Sequence, residues 1–125
     1  MADAIAKFFE ALDERGYEPL LHRGTGTLRF DLGHEGRTET WFVAVDKGNV
    51  SVSHRKGTAD CVLRTDRALF ARIAAGRANV MAAVLRGLIA IEGDIELLML
   101  FQRLFPGPSG RRTPVPTAGA GKERA

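Results

Sequence analysis

The stretch Thr27-Leu-Arg-Phe-Asp-Leu-Gly-His-Glu-Gly-Arg-Thr-Glu-Thr-Trp-Phe-Val-Ala-Val-Asp-Lys-Gly-Asn-Val-Ser-Val-Ser53 decides the fold. Leu28, Phe30 and Leu32 alternate with Arg29 and Asp31; Trp41, Val43 and Val45 share one face, with Phe42 and Ala44 on the other; Val50 and Val52 alternate with Ser51 and Ser53. Strand side chains point to opposite faces with a period of two, so each run reads as a half-buried strand. The joints Gly33-His-Glu-Gly36 and Asp46-Lys-Gly-Asn49 are short and rich in turn formers. The three strands predict an antiparallel meander with one apolar face.

Something must cover that face. Upstream, Ile5, Phe8, Phe9 and Leu12 fall on one stripe of a helix, with Asp3 as N-cap and Gly16 as its stop. Tyr17 to Gly26 reads as a connector. Downstream, Cys61 to Thr65 reads as a fourth strand. Asp66 caps a helix carrying Leu69, Phe70 and Ile73 that stops at Gly76; Asn79 caps a shorter one with Met81, Val84 and Leu85 on one face, stopping at Gly87. Leu88 to Ile91 predicts a fifth strand, and Gly93-Asp94 opens a last helix, Ile95 to Phe105, ended by Pro106-Gly-Pro108. Strands clustered and helices segregated give an α+β domain, one five-stranded, mainly antiparallel sheet with helices on one face. The domain is expected over residues 1–105. Residues 106–125, rich in Pro, Gly, Ala and Arg, are expected to form a disordered tail.

Composition narrows the function. The formal charge of +3 belongs to that tail: residues 1–105 hold 14 basic and 14 acidic side chains. A nucleic-acid binder needs a basic surface that neutralises phosphates, which the folded part lacks in net terms. A single cysteine, Cys61, forms no internal disulfide, the N-terminus lacks the apolar region of a signal peptide, and no apolar run approaches the ~20 residues of a membrane span. The expectation is a cytoplasmic protein.

Catalytic and cofactor motifs are not met. Gly24-Thr-Gly26 lacks the third glycine of a dinucleotide loop, whose place is taken by Arg29, and no Lys-Ser/Thr follows; a sharp turn is the better reading. His34-Glu35 begins like a zinc-protease helix, but Thr38 stands where the second histidine should be. Cys61 reads as a small core residue. No nucleophile, base or acid pair emerges, so no enzyme activity, cofactor or metal is expected.

The last helix carries the positive signal. Between Ile95 and Phe105, Glu96 and Arg103 share one narrow stripe, and large apolar residues cover most of the remaining circumference. A helix apolar on nearly all sides must be surrounded, yet one sheet covers only one side. Another subunit, a membrane surface or an apolar ligand must meet the rest. Gln102 falls among Ile95, Leu98, Met99 and Phe105. Its amide costs about 1–3 kcal/mol there unless hydrogen-bonded, either by backbone or water or by the polar end of a ligand.

The chain resembles the sterol carrier protein 2 (SCP2) domain family. The residues that carry the resemblance are Thr27-Leu-Arg-Phe-Asp-Leu32, Glu39-Thr-Trp-Phe-Val-Ala-Val-Asp-Lys-Gly48, Ala59-Asp-Cys-Val-Leu-Arg-Thr65, Ala75-Gly-Arg-Ala-Asn-Val-Met-Ala-Ala-Val-Leu-Arg-Gly87 and Ile91-Glu-Gly-Asp94, in order, over residues 4 to 105. Val80 stands where the family commonly has Pro, and the chain ends Lys-Glu-Arg-Ala rather than in a peroxisomal Ser-Lys-Leu. The resemblance implies non-catalytic binding or transfer of a fatty acid, fatty acyl-CoA, phospholipid or sterol in an apolar tunnel between sheet and helices. The lining expected for it is Trp41, Phe70, Ile73, Met81, Val84, Leu85, Leu98, Phe101 and Phe105, with Gln102, where the family's last helix often has Gln, at the ligand's polar end. Two rival expectations stand beside it: a homodimerisation or partner-docking module with a vestigial pocket, and transient contact with a membrane surface through Arg111 and Arg112.

Overall fold

A computed structural model describes residues 3–106. Helix α1 spans Ala4–Arg15, and a short 3-10 turn follows at Pro19–Leu21. Strands β1 (Thr25–His34), β2 (Arg37–Asp46) and β3 (Asn49–Ser53) come next, then β4 (Cys61–Asp66). Helices α2 (Arg67–Ala74) and α3 (Val80–Leu85), strand β5 (Ala90–Gly93) and helix α4 (Ile95–Phe101) complete the order, with a 3-10 turn at Gln102–Leu104.

The meander forms as its alternation requires, with longer strands than the joints suggested. Each hairpin turns in two residues, Glu35-Gly36 with φ of 50° and 76°, and Lys47-Gly48 with φ of 52° and 94°. Paired positive φ values match the twist of the flanking strands, so pairing runs on to His34↔Arg37 and Asp46↔Asn49.

The sheet order is β3-β2-β1-β4-β5. β4 does not extend the meander; it pairs with β1 in parallel, Leu28↔Cys61 through Gly33↔Asp66, and every other pairing is antiparallel. The connection from β3 to β4 crosses the outer face of the sheet. There Arg29 Nη1 donates to the Gly57 carbonyl at 3.0 Å, and the Arg55 guanidinium lies 5.4 Å from the centre of the Phe42 ring. This explains why Phe42, on the face away from the helices, is buried.

Caps fall where short polar side chains were expected. Asp3 accepts from the N–H groups of Ile5 and Ala6, Asp66 from Ala68, Asn79 from Ala82 and Asp94 from Leu97. Gly16 ends α1 with φ of 68°. Two boundaries depart from expectation. The fifth strand begins at Ala90, because Leu88 is used to end α3: its N–H donates to Ala83 O at 2.9 Å. The last α-helix stops at Phe101 and tightens into a 3-10 turn before Phe105, which is extended. The residue before a proline is pushed out of the helical region, and Pro106 follows.

Gly24 and Gly26 do not form a sharp turn. They lie at the entry to β1 as a seat for α4: a Cβ on Gly24 would stand 2.6 Å from Leu100 Cδ2, and one on Gly26 2.9 Å from Leu97 Cδ2. All helices pack on the face carrying Leu28, Phe30, Trp41, Val43 and Leu63, and the core fills that single layer.

Candidate functional site

The layer between sheet and helices is apolar and rich in aromatic rings. Phe9 of α1 stacks on Trp41 of β2 (centroids 4.6 Å apart, planes at 14°) and faces Phe70 of α2 at 5.8 Å. Phe30 of β1 meets Phe9, Phe70 and Phe101 at 5.3–5.5 Å. Phe105 closes the far end, stacked on Phe8 at 4.8 Å and edge-on to Phe70 and Phe101.

Of the side chains singled out from sequence, Trp41, Phe70, Ile73, Leu98 and Phe101 all lie in this layer, buried with the core; Phe105 packs against it half-buried. Met81 and Val84 sit at its margin. Leu85 does not join them: it is 85% exposed. The sequence reading put Met81, Val84 and Leu85 on one face of α3, but the row that enters the core is Val80 and Ala83. At 100° per residue Leu85 then turns away from the sheet. Ala83 was overlooked because it is small. Gln102 is half-buried at the end of α4, its backbone N–H donating to Leu98 and Leu100 carbonyls.

The last helix is surrounded on most of its circumference, though not all. Leu97, Leu98 and Phe101 are buried and Leu100, Leu104 and Phe105 pack on the core, while Ile95 and Met99 stay nearly half exposed. The seat made by Gly24 and Gly26 supplies the second wall that a single sheet could not.

Two clefts flank α1. One, of about 320 Å³, lies between α1 and β3; Phe9, Trp41 and Val52 line it together with Glu10, Asp13, Glu14 and His54. The other, of about 300 Å³, lies between α1 and α2 and reaches Phe8 and Ala74. The first opens directly on the Phe9–Trp41 stack.

A polar cluster holds Trp41 in place. Its indole N–H donates to Glu39 Oε2 at 2.5 Å; Glu39 Oε1 accepts from Arg67 Nε at 2.7 Å, and Arg67 Nη2 also pairs with Asp3. The hydrogen bond to Glu39 raises the Arg67 pKa, opposed by burial and reinforced by the charges of Glu39 and Asp3. These residues, like Phe9 and Phe30, were missed as site residues. The apolar stripes containing the two rings were visible in the sequence, but nothing in spacing brings Asp3, Glu39 and Arg67 together.

The Cys61 thiol is buried, and burial first, then the charge of Asp94, pushes its pKa up. Such a thiol stays protonated at neutral pH and behaves as a core residue. His34 ends β1, its Nε2 3.7 Å from Glu35 Oε1. Among the described residues, no three His, Cys, Asp or Glu side chains converge as metal ligands, and no helix is long and apolar enough to cross a membrane.

The α+β fold built from these elements is that of a known family. The family model described as the SCP-2 sterol transfer family matches residues 5–106. The chain belongs to this family. Solved structures similar to this SCP2 domain include the sterol carrier protein domain 2 of Helicoverpa armigera, at 21% identity and a TM-score of 0.68, covering 90% of this chain and 93% of that one. Another is palmitated SCP2L2 from Aedes aegypti, at 16% identity and a TM-score of 0.61, covering 82% and 90%. A third is the ubiquinone synthesis protein UbiJ-SCP2, at 18% identity and a TM-score of 0.59, covering 79% and 90%. At these identities the likeness establishes the fold. No curated protein matches this SCP2 domain in sequence.

Proposed function

We propose that this SCP2 domain is a non-catalytic cytoplasmic carrier that takes a hydrophobic lipid, such as a fatty acid or acyl-CoA, into the layer between sheet and helices. The observation that carries the reading is the aromatic stack that runs from Trp41 to Phe105 and is reached from the cleft beside α1. Trp41, Phe70, Ile73, Leu98, Phe101 and Phe105 would meet the hydrocarbon, with Met81 and Val84 at its margin and Gln102 near the polar end. Leu85 has no part in this lining.

The interior side chains contact one another, so a ligand enters by parting helices from sheet. Each CH₂ removed from water contributes about 0.8 kcal/mol, which over a long acyl chain offsets the lost packing. The clefts beside α1 mark where the parting costs least, since apolar surface there is already in reach of solvent. The family and the Aedes aegypti protein whose solved structure is described as palmitated support this reading. The carrier unit comprises residues 1–105; the tail proposed for residues 106–125 lies, beyond Pro106, outside the described residues.

A second reading, self-association or partner docking, is favoured by one observation: Ile95 and Met99 leave an apolar strip on α4 at 45% and 48% exposure. Titration with a fluorescent long-chain fatty acid separates the two. The carrier reading expects saturable uptake at micromolar protein that palmitate reverses. No saturable signal above a denatured control, together with a concentration-dependent dimer in sedimentation velocity, would replace it by the second reading.

A further inference from the structure

From Arg67 to Ile91 the chain contains four arginines and no aspartate or glutamate, although it holds 15 acidic residues in all. This acid-free stretch comprises α2, α3 and the turn into β5. Arg67 is engaged inside the fold by Glu39 and Asp3. Arg72, Arg77 and Arg86 are exposed, and none forms an ion pair among the described residues. The unit thus shows unneutralised positive charge within a folded part whose net charge is zero.

The same unit carries protruding leucines. Leu85 is 85% and Leu88 52% exposed, with Arg86 between them. The turn that presents them is fixed: Gly87 sits at φ of 76°, its N–H donates to Val84 O at 3.0 Å, and the Leu88 N–H donates to Ala83 O at 2.9 Å. In this kind of helix ending the residue after the glycine usually folds its apolar side chain back onto the last turn. Leu88 stays half in water instead. Little backbone entropy remains to be lost when such a corner meets a partner.

We propose that the α2–α3 unit is a docking surface for an anionic lipid bilayer, with Leu85 and Leu88 entering the headgroup boundary and Arg72, Arg77 and Arg86 facing lipid phosphates. Arginine beside phosphate suits either a bilayer or a nucleic acid, but two exposed leucines gain only where hydrocarbon is within reach. The surface differs from the tail arginines Arg111 and Arg112. It also goes beyond the carrier reading, because a bilayer can be bound whether or not the interior takes up an acyl chain.

The test is flotation of the full chain, without added ligand, with vesicles of phosphatidylcholine alone and of equal parts phosphatidylcholine and phosphatidylglycerol. Binding is expected only with the anionic vesicles and is expected to weaken as salt rises. Replacing Arg77 and Arg86 by Ala weakens it about five-fold for each arginine. Leu85→Glu with Leu88→Glu abolishes it. All of these side chains are exposed, so thermal unfolding should be unchanged; Leu85→Ala with Leu88→Ala, expected to weaken binding about ten-fold, guards against a fold defect in the glutamate pair. The proposal is overturned if the parent does not float, or if both leucine pairs bind like the parent. Loss of binding only on Arg111→Ala with Arg112→Ala, or retention on duplex DNA without vesicle binding, also overturns it.

Discussion

Asp13 Oδ1 accepts the backbone N–H of Val52 at 2.9 Å. With the Gly16 carbonyl, which accepts the Val50 N–H at 2.8 Å, it satisfies donors on the free edge of β3. The C-terminal half of α1 therefore does two things at once: it packs Phe9 and Leu12 into the core and closes a sheet edge that would otherwise recruit another strand. Asp13→Ala should cost about 1 kcal/mol and raise self-association, read by urea unfolding and sedimentation velocity. A variant as stable and as monomeric as the parent would show that the edge needs no such cover.

Glycines should rank by what their missing Cβ would strike. At Gly93, with φ of 96°, the atom would lie 2.1 Å from the Asp60 carbonyl oxygen; at Gly26, 2.9 Å from Leu97; at Gly36, with φ of 76°, nothing lies within 4 Å. Gly36→Ala should cost only the backbone strain, about 1–2 kcal/mol. Gly26→Ala should cost more, and Gly93→Ala most, to the point of preventing folding. Thermal unfolding of the three variants tests the order.

Arg67→Leu should release both Glu39 and Asp3 and so free the indole of Trp41. A loss of about 1–3 kcal/mol is expected, together with a red-shifted emission from Trp41, the single tryptophan. Stability loss without a spectral change would mean that Phe9 and His54, whose rings lie 4.6 and 4.2 Å away, hold the indole unaided.

Cys61 gives a pH signature. Its folded-state pKa is raised from the ordinary 9.0, by burial first and by Asp94 second. The unfolded chain therefore ionises first as pH climbs. The stability linked to this thiol is complete below about pH 9 and declines above it, until the folded thiol also ionises. Denaturant unfolding at about pH 8 and about pH 10 should show this loss in the parent and a smaller one in Cys61→Ala; equal slopes would contradict it.

Much of this fold was legible because it rests on local rules. Alternation fixed the faces of β1 to β3, and Asp3, Asp66, Asn79 and Asp94 marked helix starts through bonds that span only a few residues. What stayed hidden depends on contacts distant in sequence. The parallel seat of β4 beside β1, the use of Gly24 and Gly26 as a bed for α4, and the Asp3–Arg67–Glu39–Trp41 chain leave no spacing signal. α3 enters the core by Val80 and Ala83 and not by the expected face of Met81, Val84 and Leu85, because a small residue, Ala83, allows the close approach. The site was legible as a set of apolar stripes, but of the partners that complete it, Phe9 lies on α1, expected only to cover the sheet, and Phe30 on β1, expected only to form it.

The central claim is that hydrocarbon enters the layer between sheet and helices, and nuclear Overhauser contacts from ¹³C-labelled palmitate to the full chain test it most directly. The account predicts contacts from the acyl methylenes to Phe70, Leu98 and Phe101, with the ring of Trp41 perturbed. Contacts confined to exposed side chains such as Leu85, Leu88 and Met99, with the interior unchanged, would contradict it.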